Sequence, residues 1–263
     1  MSDEIIYTVD SGVATITLNR PEKLNATTAS MLLALQEAIG AAVAAEDVRA
    51  VLLTGAGRGF CAGQDLGDRR VAGDSSTPPN LAESLDTLYN PIVRAITTMP
   101  KPVVCSVNGV AAGAGANLAL ACDIVIAARS AKFIEVFSRV GLIPDAGGTW
   151  LLPRLIGRAR AMGAALLAEP IPAETAHEWG LIWDVVEDDV LADHAWALTL
   201  RLASGPTRGY GYVKQALLAS TAPSLDAHLD LERDLQGEAG RSNDYREGVD
   251  AFLGKREPRF EGR

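Results

Sequence analysis

Two short apolar runs each break into a glycine-rich turn, and that pairing constrains the fold more than any other feature of the chain. Residues 48–54 lead into Gly55-Ala-Gly-Arg-Gly-Phe-Cys-Ala-Gly-Gln-Asp65, and residues 102–107 lead into a turn over 108–113. Apolar runs of this length, bounded by turn residues, read as buried strands. After the second turn, residues 114–121 read as a helix of tiny side chains and 124–128 as another strand. A strand, glycine turn, short helix and strand make an α/β unit. Residues 109–128 are apolar enough to suggest a membrane span, but Asn117, Asp123 and the small-residue start fit a buried turn, helix and strand better.

The rest of the chain fits around that unit. Residues 5–9 and 13–19 alternate on either side of Asp10-Ser11-Gly12, which predicts a hairpin. Residues 27–45 carry helical periodicity. The polar stretch 67–80 has no periodicity and holds Ser75-Ser76-Thr77-Pro78-Pro79, so a loop is expected. A helix over 81–99 should kink or break at Pro91. The turn from 141 to 149 introduces a helix carrying Trp150, Leu151 and Leu152. Beyond Ser204-Gly205-Pro206 only helical patterns remain, with Tyr245, Val249, Phe252 and Leu253 as an apolar stripe. A boundary is therefore expected there, dividing a core over 1–204 from a helical segment over 205–263.

Charge and cysteine usage exclude several functions. Lys plus Arg is 24 and Asp plus Glu is 33, a net charge of −9, which disfavours general binding to nucleic acid or an anionic membrane. Cys61, Cys105 and Cys122 lack metal-ligand or CxxC spacing, and the histidines form no paired motif, so no metal site is expected. The acidic start, Met-Ser-Asp-Glu, is unlike a secretion signal, and a cytoplasmic location is expected.

Neither glycine turn is GxGxxG, and no Gly-Lys-Ser or Gly-Lys-Thr follows, so nucleoside-phosphate chemistry is disfavoured. Tight turns and close helix packing are the plain reading of these glycines. The sharper one is a pair of backbone donors. The amides at the start of the 114–121 helix, set opposite the turn over 61–65, would bracket a carbonyl oxygen as an oxyanion hole.

Four segments carry a resemblance across nearly the whole chain: Asn19-Arg-Pro-Glu-Lys-Leu-Asn25, Gly59-Phe-Cys-Ala-Gly-Gln-Asp-Leu66, Asn108-Gly-Val-Ala-Ala-Gly-Ala-Gly-Ala-Asn117 and the turn 141–149. Together they resemble the enoyl-CoA hydratase/isomerase (crotonase) family. The resemblance implies an α/β crotonase (ClpP-like) spiral of ββα repeats with a C-terminal helical oligomerisation segment. It also implies a homotrimer or dimer of trimers and acyl-CoA thioester substrates. No bound cofactor is implied, the substrate itself carrying coenzyme A. Position by position, it places the oxyanion amides at Gln64 and Ala114, beside Gly113. CoA would run along Leu24, Ala26 and the turn Ala62, Gly63, Gln64, Asp65 and Leu66. Phe252 and Lys255 would close that site, from a neighbouring subunit in one arrangement, and Phe137 would line it.

The departures point to a reaction. Where family hydratases carry two glutamates, this chain reads Asn117 and Phe137, so no evident pair activates water. Glu135 stands two residues away, with a different expected direction. By pattern alone Asp145 reads as a helix N-cap, whereas the resemblance makes it the proton carrier of an isomerase, in an apolar setting of Phe137, Leu142 and Trp150. Further segments, including Gly141 through Pro153 and Ala239 through Gly248, resemble members that isomerise ring-epoxide and 3-enoyl thioesters. Two alternatives stay open: a hydratase-type reaction with another base, and a non-catalytic acyl-CoA-binding or assembly subunit. Cys61 reads as packing, since no histidine partner motif accompanies it.

Overall fold

The computed structural model describes residues 3–67 and 80–263, so the loop expected over 67–80 lies outside the described residues except at its two ends. β1 (Ile5–Asp10) and β2 (Val13–Leu18) form the antiparallel hairpin, turned at Ser11 and Gly12, both with positive φ. β2 continues in parallel into β3 (Ala50–Gly55), then β5 (Val103–Val107), β7 (Ile124–Ala128) and β10 (Asp184–Val186), in the order β1-β2-β3-β5-β7-β10. The inner strands β3 and β5 are buried almost throughout, which is why they read as unbroken apolar runs.

A second, four-stranded sheet orders β4 (Gly59–Cys61), β6 (Val110–Ala112), β8 (Lys132–Ile134) and β9 (Ile171–Pro172). Here the turn expected over 108–113 is corrected, because β6 occupies its middle. β4 likewise lies within the first glycine-rich segment. Three-residue strands are too short to carry a period-2 pattern, so neither announces itself. The chain alternates between the sheets, with β3, β5 and β7 in the larger and β4, β6 and β8 in the smaller. This is a spiral of ββα turns.

Helices fill the outside. α1 (Ala29–Ala44) starts where the Thr28 side chain accepts from the Met31 N–H, and buries Met31, Leu32, Leu35 and Ile39. α2 (Leu81–Ser84), a π-helical turn (Leu85–Tyr89) and α3 (Asn90–Thr98) run on without a break. Pro91 sits in the first turn of α3, where its missing N–H costs least, and the π turn before it absorbs the mismatch. α4 (Ala114–Leu120) is wholly buried. α5 (Gly148–Leu167) kinks at Gly157, whose φ is 73°. α6 (Ala173–Trp179) and α7 (Leu191–Ala203) follow, α7 packing across β3, β5 and β7.

α8 (Thr207–Ala219), α9 (Leu225–Ala239) and α10 (Asn243–Leu253) form the C-terminal segment. It is tied to the core by charge. Lys214 Nζ meets Asp123 Oδ2 at 2.7 Å and donates to the Ile96 and Lys101 carbonyls, both at 3.0 Å. Arg49 donates to Thr207 Oγ1 at 3.1 Å, to the Phe260 carbonyl at 2.8 Å and to the Gly205 carbonyl. Among the described residues no helix is long and apolar enough to cross a membrane, and the stretch 109–128 is β6, α4 and β7.

Candidate functional site

The two glycine turns meet. A Cβ added at Gly63 would lie 2.8 Å from the Ala112 carbonyl and 3.8 Å from the Ala114 amide nitrogen, so the 61–65 turn rests against the start of α4. Only a residue without a side chain permits that approach, and Gly63 also has φ of 86°. At the next residue of α4, a Cβ on Gly115 would fall 2.5 Å from the Cys61 carbonyl, so β4 and α4 touch backbone to backbone.

Each donor is aimed by its neighbours. Thr27 pairs with Gln64 as a parallel bridge, its N–H donating to the Gly63 carbonyl at 2.8 Å and its carbonyl accepting from the Asp65 N–H at 2.9 Å. The Gln64 N–H between them must then point to the opposite side. The Gln64 side chain is fixed as well: Nε2 donates to the Thr27 carbonyl at 3.0 Å, and Oε1 accepts from the Tyr89 hydroxyl at 2.6 Å. On the other side, the Gly113 N–H donates to the Ile134 carbonyl at 2.8 Å. Gly113 takes φ of 53°, and no side chain caps α4, so the helix presents its first amides with the positive end of its dipole.

Leu24, Ala26, Ala62 and Asp65 gather beside these donors. The Ala62 N–H donates to the Leu24 carbonyl at 2.9 Å, and the Leu24 side chain covers Gly59. Arg20 donates to the Ala26 carbonyl and pairs with Asp65 Oδ2 at 3.1 Å. Leu66 is exposed just beyond. Phe137 is buried with its ring against Gly113. Phe252 and Lys255 are not part of this cluster within one chain. Phe252 is 83% exposed and faces a surface cavity lined by residues of α8, α9 and α10.

Asp145 lies in the loop between the 3-10 helix Val136–Val140 and α5. The N-cap pattern is not what the loop builds. α5 starts at Gly148 with left-handed Gly147 as its cap residue, and no side chain caps it. Ala146 and Gly147 both take positive φ, so the chain turns twice before the helix begins and carries Asp145 clear of the cap position. Asn117 Nδ2 instead donates to the Asp145 carbonyl at 2.9 Å and faces Glu135 Oε2 at 3.4 Å. Glu135 is 3% exposed, and burial, reinforced by the Asp145 charge, pushes its carboxyl up to about 7. Leu142 and Trp150, expected as apolar walls, are partly exposed.

Cys61 is packing. Its buried thiol donates to the Asn25 carbonyl at 3.2 Å, and burial raises it to about 11, far from a reactive thiolate. Among the described residues no three His, Cys, Asp or Glu side chains come together as a metal-binding group. Sequence reading missed Asn25, Thr27 and Tyr89. Asn25 Nδ2 donates to the Ala56 and Gly59 carbonyls at 3.0 and 2.8 Å while Oδ1 accepts from the Arg20 N–H at 2.8 Å. No local signal marked Asn25, because the glycine-rich segment it braces lies about thirty positions away.

The family model for enoyl-CoA hydratase/isomerase matches residues 8–263. The chain is 58% identical to 1,2-epoxyphenylacetyl-CoA isomerase of Escherichia coli over the full length of both. It is 52% identical to a Rhodobacter capsulatus protein named "Probable enoyl-CoA hydratase", covering 98% of each. A solved enoyl-CoA hydratase from Polaromonas sp. JS666 superposes with a TM-score of 0.91 at 36% identity, covering 97% of this chain and 99% of that one.

Proposed function

Because the chain belongs to the enoyl-CoA hydratase/isomerase family, we propose that it is an isomerase of acyl-CoA thioesters. The reading is supported by one juxtaposition: the turn that carries the Gln64 amide rests, at Gly63, against the start of the helix that carries the Ala114 amide, and the same helix, through Asn117, holds the Asp145 backbone. The amides of Gln64 and Ala114 receive the thioester oxygen and the negative charge it gains as an enolate forms. Asp145 takes a proton from the carbon next to the thioester and returns it to the third carbon along. A 3-enoyl thioester thereby becomes its 2-enoyl isomer, with no proton consumed. For the ring epoxide named in the E. coli relative, the corresponding isomerisation opens the three-membered ring into an oxepin.

Leu24, Ala26 and residues 62–66 hold the CoA, Phe137 lines the acyl end, and Phe252 and Lys255 come from a neighbouring subunit. The exposed Phe252 and Leu253 on α10 support residues 205–263 as the oligomerisation segment of a homotrimer or dimer of trimers, attached to a catalytic core over 1–204. Three free, buried thiols suit a cytoplasmic setting.

Hydration is the second reading, favoured by one feature: the Asn117 amide meets both the Glu135 carboxyl and the Asp145 backbone carbonyl, and the charge of Asp145 reaches Glu135. An absorbance assay separates the two, with a 3-enoyl-CoA and crotonyl-CoA run side by side on the purified protein and the ring epoxide after them. Isomerisation without appreciable hydration is expected. Dominant hydration of crotonyl-CoA would overturn the isomerase reading.

A further inference from the structure

Glu135 is a buried carboxyl that the proposed reaction does not use, and its surroundings give it a task. It directly follows Ile134, whose carbonyl pins the Gly113 amide beside the oxyanion turn. Its Oε2 faces Asn117 Nδ2 at 3.4 Å, and the same nitrogen donates to the Asp145 carbonyl at 2.9 Å. The amide has little room to move, since a Cβ on Gly148 would strike Asn117 Nδ2 at 2.4 Å. Asn117 Oδ1 is buried without a hydrogen-bond partner. A neutral Glu135 has an O–H to offer that acceptor and an ionised one does not.

We propose that Glu135 and Asn117 are positioning residues for Asp145: Glu135 holds the Asn117 amide that fixes the Asp145 backbone, so that the charge state of Glu135 is felt there. This rests on the reading of Asp145 as proton carrier. Among the described residues few other charges reach Glu135. α4 contributes no charged side chain, Lys132 on β8 is exposed, and Arg139 is drawn to the Ala168 carbonyl. Asp145 is the charge whose repulsion adds to burial in keeping the Glu135 proton on, so each carboxyl feels the state of the other.

Infrared difference spectra across a pH titration of the intact protein test this, because a buried neutral carboxyl has its own C=O stretch. In the wild type one carboxyl should titrate near pH 7, and Glu135→Gln should remove that band. Asp145→Asn should shift its midpoint downward, a readout independent of any activity. The isomerisation pH profile should bend near pH 7 in the wild type and lose that bend in Glu135→Gln. Asn117→Ala should lower kcat tenfold or more with little change in KM. Absence of a carboxyl titrating near pH 7, an unmoved midpoint in Asp145→Asn, or superimposable pH profiles would overturn the proposal. Failure of the Asp145 reading looks different: Asp145→Asn would then isomerise like the wild type.

Discussion

Asn25 shows how much one buried amide can do. It adopts φ of 55°, a left-handed backbone that Asn tolerates, and spends both ends of its side chain on the chain segments beside the 61–65 turn. Asn25→Ala removes the partner of the Ala56 carbonyl and the Arg20 N–H, leaves the Gly59 carbonyl only its longer bond from Asn108 Nδ2, and should cost on the order of 2–4 kcal/mol in urea unfolding. Glu135 makes a prediction of opposite kind. Its folded value, near 7 against an ordinary 4.5, means the native chain keeps a proton that the unfolded chain has released. Stability is therefore full below about pH 4.5 and falls as pH rises toward 7, by on the order of 3 kcal/mol. Glu135→Gln should flatten that slope in denaturation curves taken across the window. An unchanged slope would place the titrating group elsewhere.

At the scale of elements, the oxyanion turn depends on α4 lying against β4. Gly115→Ala drives a methyl into Cys61 and should separate the two, lowering the isomerisation rate together with the melting temperature. Ala114→Pro is the cleaner probe, because proline is accepted at a first helical position yet has no N–H to donate. It should lower kcat by about 10²–10³ with the fold kept. Much of this region was legible beforehand. The strand, glycine-rich segment, tiny-residue helix and strand were visible as runs of apolar and small residues, whereas the kink or break expected at Pro91 is met by a π-helical turn in a helix that runs on. β4 and β6 were not, since three-residue strands have no period to read, and the second sheet exists only through partners distant in sequence. The same holds for Asp145. Its spacing before a helix suggested a cap, but positive φ at Ala146 and Gly147 moves the helix start to Gly148.

Over the whole molecule, the C-terminal helices are held to the core by few polar links. The Asp123 carboxyl is partly screened from water, which raises its proton affinity, and Lys214 is the cation that offsets this. Lys214→Met leaves that part-exposed carboxylate without its cation and should cost about 1–3 kcal/mol at neutral pH, read by denaturant unfolding. The loss should shrink in acid as Asp123 takes up a proton. These ties join residues 113 and 118 positions apart, so only the helical character of the segment was readable from the chain, not its attachment. The clustering of Leu24, Ala26 and residues 62–66 was reached through motif resemblance, and the hydrogen bonds that build it also join segments distant in sequence.

The central claim is that one carboxylate carries the proton across an enolate held by two backbone amides. Its most direct test measures isomerisation of a 3-enoyl-CoA by Asp145→Asn, with acyl-CoA affinity determined on the same preparation. A rate lower by about 10²–10⁴ with affinity unchanged is the predicted result. A variant that binds and isomerises as well as the wild type would contradict it.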